Sequence, residues 1–414
     1  MRILWLKSDL LLPLDKGGKL RTWHLMRHLA RRHDITYLCF AEPGQPAAHI
    51  DGMREVASRV ETIPRAEAAK GSLGFYAGAA MRLGDPLPYA VAKYRSAAME
   101  REITRLIGDE SIDLVVCDFL FPGINVPEAL AVPAVLFQHN VEAMIWQRHA
   151  SVAAPGLRRA YMHRQSRRMY AFEKAQCQRF DHVVAVSPED VAWFAGEYGV
   201  REASHVPTGV DTEYFRPAGT AAAAAAGVVF TGSMDWMPNE DAVAYFADAI
   251  LPLVEAEIPE VTLDIVGRNP SPSVLGLARR HSHVHVSGTV PDVRPYLEAA
   301  RVVVVPLRIG GGTRLKIFEA MAMEKAIVTT SIGAEGLPVR HAEHLLIADT
   351  PAAFAAAVTR LLRAPADAAS LGARAAELVR TRFGWERAAD QFADACMLAV
   401  DASARHVPTL VRSP

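Results

Sequence analysis

Residues 302–330 read VVVVPLRIGGGTRLKIFEAMAMEKAIVTT. An apolar run from Val302 to Pro306 leads into three glycines. A segment with helical spacing follows, Leu315 to Met323, and then a second apolar run, Ala326 to Thr329. Strand, glycine turn, helix and strand in that order form the unit of a parallel α/β sheet. At about 100° per residue, Leu315, Phe318 and Ala322 make one apolar stripe, expected to face the sheet. Gly312, Lys316, Glu319 and Met323 make the stripe beside it. Glycines at such a turn let backbone N–H groups approach an anion, and the helix N-terminus adds partial positive charge. Lys316 then stands behind a phosphate site. Glu319, one turn deeper, is placed to accept two hydrogen bonds from a ribose diol. The plainer alternative is an i, i+3 ion pair on a solvated helix edge. The stretch is not a P-loop, and Leu315 stands where G-x-G-x-x-G requires its last glycine.

The same alternation runs through the chain. Strand candidates are Ile3–Leu6, Ile35–Phe40, Leu114–Cys117, Ala134–Phe137, His182–Val186, Val228–Thr231, Thr262–Val266 and His283–Ser287. They are continuous Val-, Ile- and Leu-rich runs, as parallel strands buried on both faces require. Helical stretches between them include Gly18–Arg31, Met99–Ile107 and Glu240–Leu253. A chain of 414 residues is long for one domain. HVPTGVDTEYFRPAGT, from His205, punctuates it with two prolines and two glycines, and six alanines, read as a surface tether, follow. This predicts a doubly wound domain over residues 1–210 and a second over 211–384.

Composition narrows the class. Hydrophobic residues are 50% and charged residues 22%, ordinary for large globular cores. A net charge of -1 offers no global field for nucleic acid. Cys39, Cys117, Cys177 and Cys396 lie far apart, which reads as a reduced, cytosolic protein without a zinc knuckle. The opening MRILWLKSDL reads as a first strand rather than a signal peptide. No apolar run is long enough to span a bilayer.

The pattern G-G-G-T-R-L-K-x-x-E-A-x-A, Gly310 to Ala322, resembles the donor-binding signature of the retaining glycosyltransferases of family 4, which have the GT-B fold. Other stretches fit in order: KGGKLR (Lys16–Arg21), FQHNVE (Phe137–Glu142), VSPED (Val186–Asp190), FTGSMDWMPN (Phe230–Asn239), DIVGRNP (Asp264–Pro270) and GTVPDVRPYLEAA (Gly288–Ala300). FGWERAADQF (Phe383–Phe392) resembles the final helix that returns to the first domain. The resemblance implies two Rossmann-like domains facing a cleft, acceptor on the N-terminal side and donor on the C-terminal side. A helix over about 385–403 would pack back on the first domain. It implies a metal-independent hexosyltransferase that moves a sugar from a nucleoside-diphosphate sugar to a polysaccharide, oligosaccharide or lipid-linked acceptor. Location would be cytoplasmic, with peripheral contact at the inner membrane. Alternatives are a GT-B sugar-nucleotide epimerase, or a non-catalytic scaffold in a glycan assembly complex.

Site residues follow from the matching motifs. The catalytic set is His139, Arg314 and Lys316. The donor-binding set is Gly17, Gly18, Gly232, Ser233, Arg268, Val290, Gly311, Gly312, Thr313, Lys316 and Glu319. No metal site is expected, because no D-x-D occurs and cationic side chains with helix N-termini can stabilise the departing diphosphate. In members with two glutamates spaced E-x7-E, Glu319 matches the second, and the first falls on Gly311. The basic residue that many members carry just after the first strand of the second domain is also missing. Arg314 and Lys316 would take over its role.

Three features have plainer readings. His139 follows a strand and precedes a helix that Asn140 could cap, so it is either the active-site histidine or a backbone-bonded helix entry. HSHVH (His281–His285) is read as a partly exposed strand edge rather than a zinc site. The basic segment from Arg148 to Arg179 is a solvated helix face, or a surface for anionic lipid.

Overall fold

The computed structural model describes residues 1–14, 16–66, 72, 78, 82, 84–152, 156–219, 226–309 and 315–406. Of the sequence features above, Gly311, Gly312, Thr313, Arg314 and most of the alanine run lie outside the described residues. The chain divides into two compact units, Met1–Pro207 with Glu386–Pro414, and Thr208–Trp385.

The first unit holds a seven-stranded sheet. Its strands are β1 (Arg2–Lys7), β2 (Asp34–Ala41), β3 (Arg59–Pro64), β4 (Leu114–Asp118), β5 (Ala134–Phe137), β6 (His182–Ala185) and β7 (Ala203–His205). Their order is β3-β2-β1-β4-β5-β6-β7, every pairing parallel. Helices α1 (Gly17–Leu29), α2 (Glu142–Val152), α3 (Leu157–Arg179) and α4 (Pro188–Tyr198) flank it. β1, β4, β5 and β6 are buried almost throughout, which explains their lack of alternation. The final helix, Trp385–His406, closes the unit. Its Phe392 ring packs 5.3 Å from Trp5 and 4.9 Å from Phe137, and Asp390 pairs with Arg32. All four cysteines are buried and free.

The second unit repeats the plan with six strands: β8 (Gly227–Thr231), β9 (Thr262–Val266), β10 (Val284–Gly288), β11 (Val302–Val305), β12 (Ala326–Thr329) and β13 (Leu346–Ile347). Their order is β10-β9-β8-β11-β12-β13, again all parallel. In each sheet the order reverses beside its first strand, between β1 and β4 and between β8 and β11. Open α/β sheets bind ligands at the carboxyl ends of strands at such a switch point. Each unit therefore has one such switch point.

Several details differ from the sequence reading. β3, β7 and β13 were not legible; all three are sheet edges, short or half-exposed, with no apolar run to betray them. The helix expected over Glu240–Leu253 is interrupted. α5 (Met237–Tyr245) passes through a π turn, Phe246–Ile250, into Leu251–Glu255. Pro252 has no N–H for the helical ladder, and a one-residue insertion is a common way to absorb that. Leu315 is only half-buried. The buried face of α6 (Leu315–Ala322) is Ile317, Phe318, Ala320, Met321 and Ala322. It is broad because the helix packs on both the sheet and the helix Pro365–Arg382, with Phe318 stacked 4.7 Å from Phe383. His281–His285 runs into the edge strand β10 with Val284 buried and His285 exposed, as read from sequence. Arg158, Arg164 and Arg167 on α3 are exposed. Among the described residues no helix is long and apolar enough to cross a membrane.

Candidate functional site

At the switch point of the first sheet, Lys7 ends β1 and Asp118 ends β4, both buried. Lys7 Nζ donates to Asp118 Oδ1 at 2.8 Å and to Thr22 Oγ1 at 3.0 Å. Trp5 Nε1 and the Thr22 hydroxyl both donate to Asp118 Oδ2, at 2.9 Å and 2.5 Å. His139, just beyond β5, brings Nε2 to 2.7 Å from Asp118 Oδ1. Burial alone would raise the Asp118 carboxyl; Lys7 and His139 overcome it and hold the group below the ordinary carboxylate range. Burial likewise pushes the His139 imidazole down to about 4, against the pull of Asp118. His139 is thus a neutral ring at neutral pH. With Nε2 facing the carboxylate, Nδ1 is the acceptor nitrogen, the tautomer being inferred from those contacts.

Gly18 lies beside the ring. A Cβ on Gly18 would sit 3.4 Å from His139 Nδ1. Gly17 opens α1 on the exposed side. The glycine loop and the histidine, 121 positions apart in the chain (139 minus 18), are therefore neighbours. The capping expectation is corrected. Asn140 Nδ2 turns toward Glu142 Oε1 at 3.4 Å, and the N-terminal amides of α2 are capped from another helix by Glu173. Glu173 accepts from the N–H of Glu142 and of Ala143, each at 2.9 Å.

In the second unit, α6 presents Lys316 toward the loop after β8. Its Nζ donates to Asn239 Oδ1 at 2.8 Å and lies 4.0 Å from the centre of the Phe230 ring. Asn239 is buried and its Nδ2 donates to the Ser233 carbonyl at 2.8 Å. A Cβ on Gly232 would fall 2.5 Å from Lys316 Nζ, so the backbone there passes directly beside the ammonium. Arg268, in the loop after β9, donates from Nε to Ser233 Oγ at 2.6 Å and meets Asp235 at 3.3 Å. Val290 packs half-buried against the core of this unit. Glu319 is half-buried, and its carboxylate accepts no hydrogen bond from the described residues. Burial raises it to about 7, with Lys316 opposing.

The structure thus joins Lys316, Gly232, Ser233 and Arg268 in one loop cluster, with Glu319 one turn along α6. Lys7, Asp118, Thr22 and Asn239 were missed by sequence reasoning. Two of them carried a signal: a charged residue closing an otherwise apolar strand, as in ILWLK and LVVCD. The others are tied to the sites only through long-range contacts. Among the described residues, no three His, Cys, Asp or Glu side chains converge to hold a metal ion.

Solved structures share this architecture over 95% of the chain. Sucrose-phosphate synthase from Thermosynechococcus elongatus matches with TM-score 0.71 and 18% identity over 98% of that chain. Anabaena HepE, solved with UDP and glucose, matches at 0.66 and 16% over 98%. A mutant of S. aureus TarM, solved with Fondaparinux, alpha-GlcNAc-glycerol and UDP, matches at 0.68 and 12% over 99%. The fold is GT-B, the two-domain fold of glycosyltransferases. Residues 16–214 match the Glycosyltransferase Family 4 model and residues 225–364 the Glycosyl transferases group 1 model. The chain belongs to that family, with both of its domains. A protein from Klebsiella pneumoniae, described as an uncharacterized 44.6 kDa protein in the cps region, is 27% identical over 136 residues. That match spans 31% of this chain and 35% of the relative's length.

Proposed function

We propose that this glycosyltransferase moves a sugar, with retention of anomeric configuration, from a nucleoside-diphosphate sugar to a polysaccharide, oligosaccharide or lipid-linked acceptor. The observation that carries the reading is the pairing on α6. Lys316 is a fixed cation beside the Gly232 backbone, and Glu319, one turn away, is a carboxylate to which no described residue donates. A diphosphate needs the first and a ribose diol the second. The HepE and TarM structures, both containing UDP, support a nucleotide donor. The cps-region relative supports a polysaccharide acceptor.

In this reading the second unit binds the donor. Lys316 neutralises the departing diphosphate, with Arg314 and the amides of Gly311, Gly312 and Thr313 as its partners in that role. Gly232, Ser233, Arg268 and Val290 line the nucleotide, and Glu319 holds the ribose. The first unit supplies the acceptor side, with Gly17 and Gly18 as further donor-binding residues and His139 as a catalytic one. A neutral His139 accepts a hydroxyl of the donor sugar at Nδ1, where a charged imidazolium could not. The glycosyl C1–O(phosphate) bond breaks as the C1–O(acceptor) bond forms on the same face. The acceptor hydroxyl proton passes to the leaving phosphate oxygen, and nucleoside diphosphate departs. Stabilisation by fixed cations requires no divalent metal.

A thermal-shift panel of UDP-, GDP- and ADP-sugars tests this, followed by donor hydrolysis in excess chelator. One nucleotide class should stabilise the protein and be hydrolysed slowly with chelator present. No shift with any nucleotide would overturn the reading; activity lost to chelator and restored by magnesium or manganese would overturn its metal-free form.

A further inference from the structure

Glu173 is fully buried on α3, and every bond made to it comes from a donor. Oε1 accepts from Gln138 Nε2 at 3.1 Å and from the Glu142 N–H at 2.9 Å. Oε2 accepts from the Ala143 N–H at 2.9 Å and from the Tyr198 hydroxyl at 2.8 Å. Four donors fill the capacity of an ionised carboxylate. Burying such a group is costly unless it is fully bonded, so its presence calls for a reason that a local cap would not meet.

The reason lies in what the four bonds straddle. Gln138 precedes His139, and Glu142 and Ala143 follow it. The Gln138 backbone is tied in addition to Val184 of β6 at 2.8 Å. One carboxylate on a separate helix therefore holds both sides of the turn that carries the histidine. The α2 N-terminus contributes partial positive charge toward it. The far side is held by Tyr198, itself packed against Tyr170 and Phe194.

We infer that Glu173 is the positioning residue for His139, clamping the 138–143 turn so that the imidazole keeps its place against Asp118 and Gly18. The inference rests on the role given to His139 above. It assigns to α3 a part in the transfer reaction beyond supporting the sheet.

The test combines amide hydrogen exchange with kinetics. Glu173→Gln keeps the shape but replaces one of the two acceptor oxygens with a donor NH2, so that only one of the two amides keeps a partner. Exchange at Glu142 and Ala143 should rise about tenfold or more in a protein that still unfolds cooperatively. Hydrolysis of the UDP-, GDP- and ADP-sugar panel should show kcat down about tenfold with KM within about twofold. In a His139→Ala background, Glu173→Gln should change kcat by less than about twofold, because it acts through the missing ring. Should Glu173→Gln fail to fold, Glu173→Asp keeps the charge but cannot reach both amides, and the same pattern is expected at smaller amplitude. Unchanged exchange, or losses that multiply in the double variant, would overturn the inference alone. Wild-type turnover by His139→Ala would overturn the role proposed for His139 and this inference with it.

Discussion

Gly267 approaches Gly232 so closely that a Cβ on Gly267 would lie 1.6 Å from the Gly232 carbonyl oxygen. The loops after β8 and β9 therefore touch through bare backbone, and that contact sets Gly232 beside Lys316. Gly267→Ala cannot be absorbed by a side-chain rotation, because the atom in the way is backbone. We expect a loss of about 2–3 kcal/mol in the second unit, read by urea denaturation. Nucleotide binding by calorimetry should weaken in the same variant. Wild-type stability would show that the two loops do not touch as described.

Lys7 and Asp118 form a buried ion pair, 2.8 Å long, at the switch point of the first sheet. Asp118→Asn leaves the Lys7 ammonium buried without its counter-charge. The loss should be about 3–5 kcal/mol, as for other broken buried pairs. Adding Lys7→Met removes the stranded charge and should recover much of it. Denaturation of the two single variants and the double variant measures the coupling. Strictly additive losses would contradict the pair.

Glu142 supplies a pH signature. Burial, and then the neighbouring Glu173 carboxylate, push it from its ordinary value up to about 8. For an acid raised in the folded state, the favourable contribution is complete below the ordinary value of 4.5 and is lost as pH rises through about 8. Wild type should therefore lose stability across that window. Glu142→Gln cannot ionise, so its advantage over wild type should grow by about 3 kcal/mol between pH 5 and pH 8.5. Denaturant melts at both pH values decide it; a constant difference would place the Glu142 carboxyl in water-like surroundings.

The central strands of both sheets were readable because burial on two faces demands continuous apolar residues, and VVVV at β11 admits no other reading. The edges β3, β7 and β13 face less core and show no such run. On α6 the side carrying Lys316 and Glu319 followed from helical geometry alone. What a single residue touches across the chain did not follow. Leu315 looked like core, yet the packing of α6 against the helix Pro365–Arg382 moves the buried face toward Ile317 and Met321. Asn140 looked like a cap, yet Glu173, 33 positions later (173 minus 140), takes that role. Asp118 and Asn239 matter only because they meet His139 and Lys316, contacts that no local pattern encodes.

The nucleotide site proposed on α6 is the central claim, and calorimetric titration tests it most directly. Glu319→Gln and Lys316→Ala are each titrated with nucleoside diphosphate and with nucleoside. Glu319→Gln should lose about 1.5–3 kcal/mol for both ligands, the scale of a hydrogen bond to a charged group. Lys316→Ala should weaken the diphosphate far more than the nucleoside, because its partner is phosphate. Wild-type affinity in Glu319→Gln, or equal losses of both ligands in the two variants, would contradict the assignment.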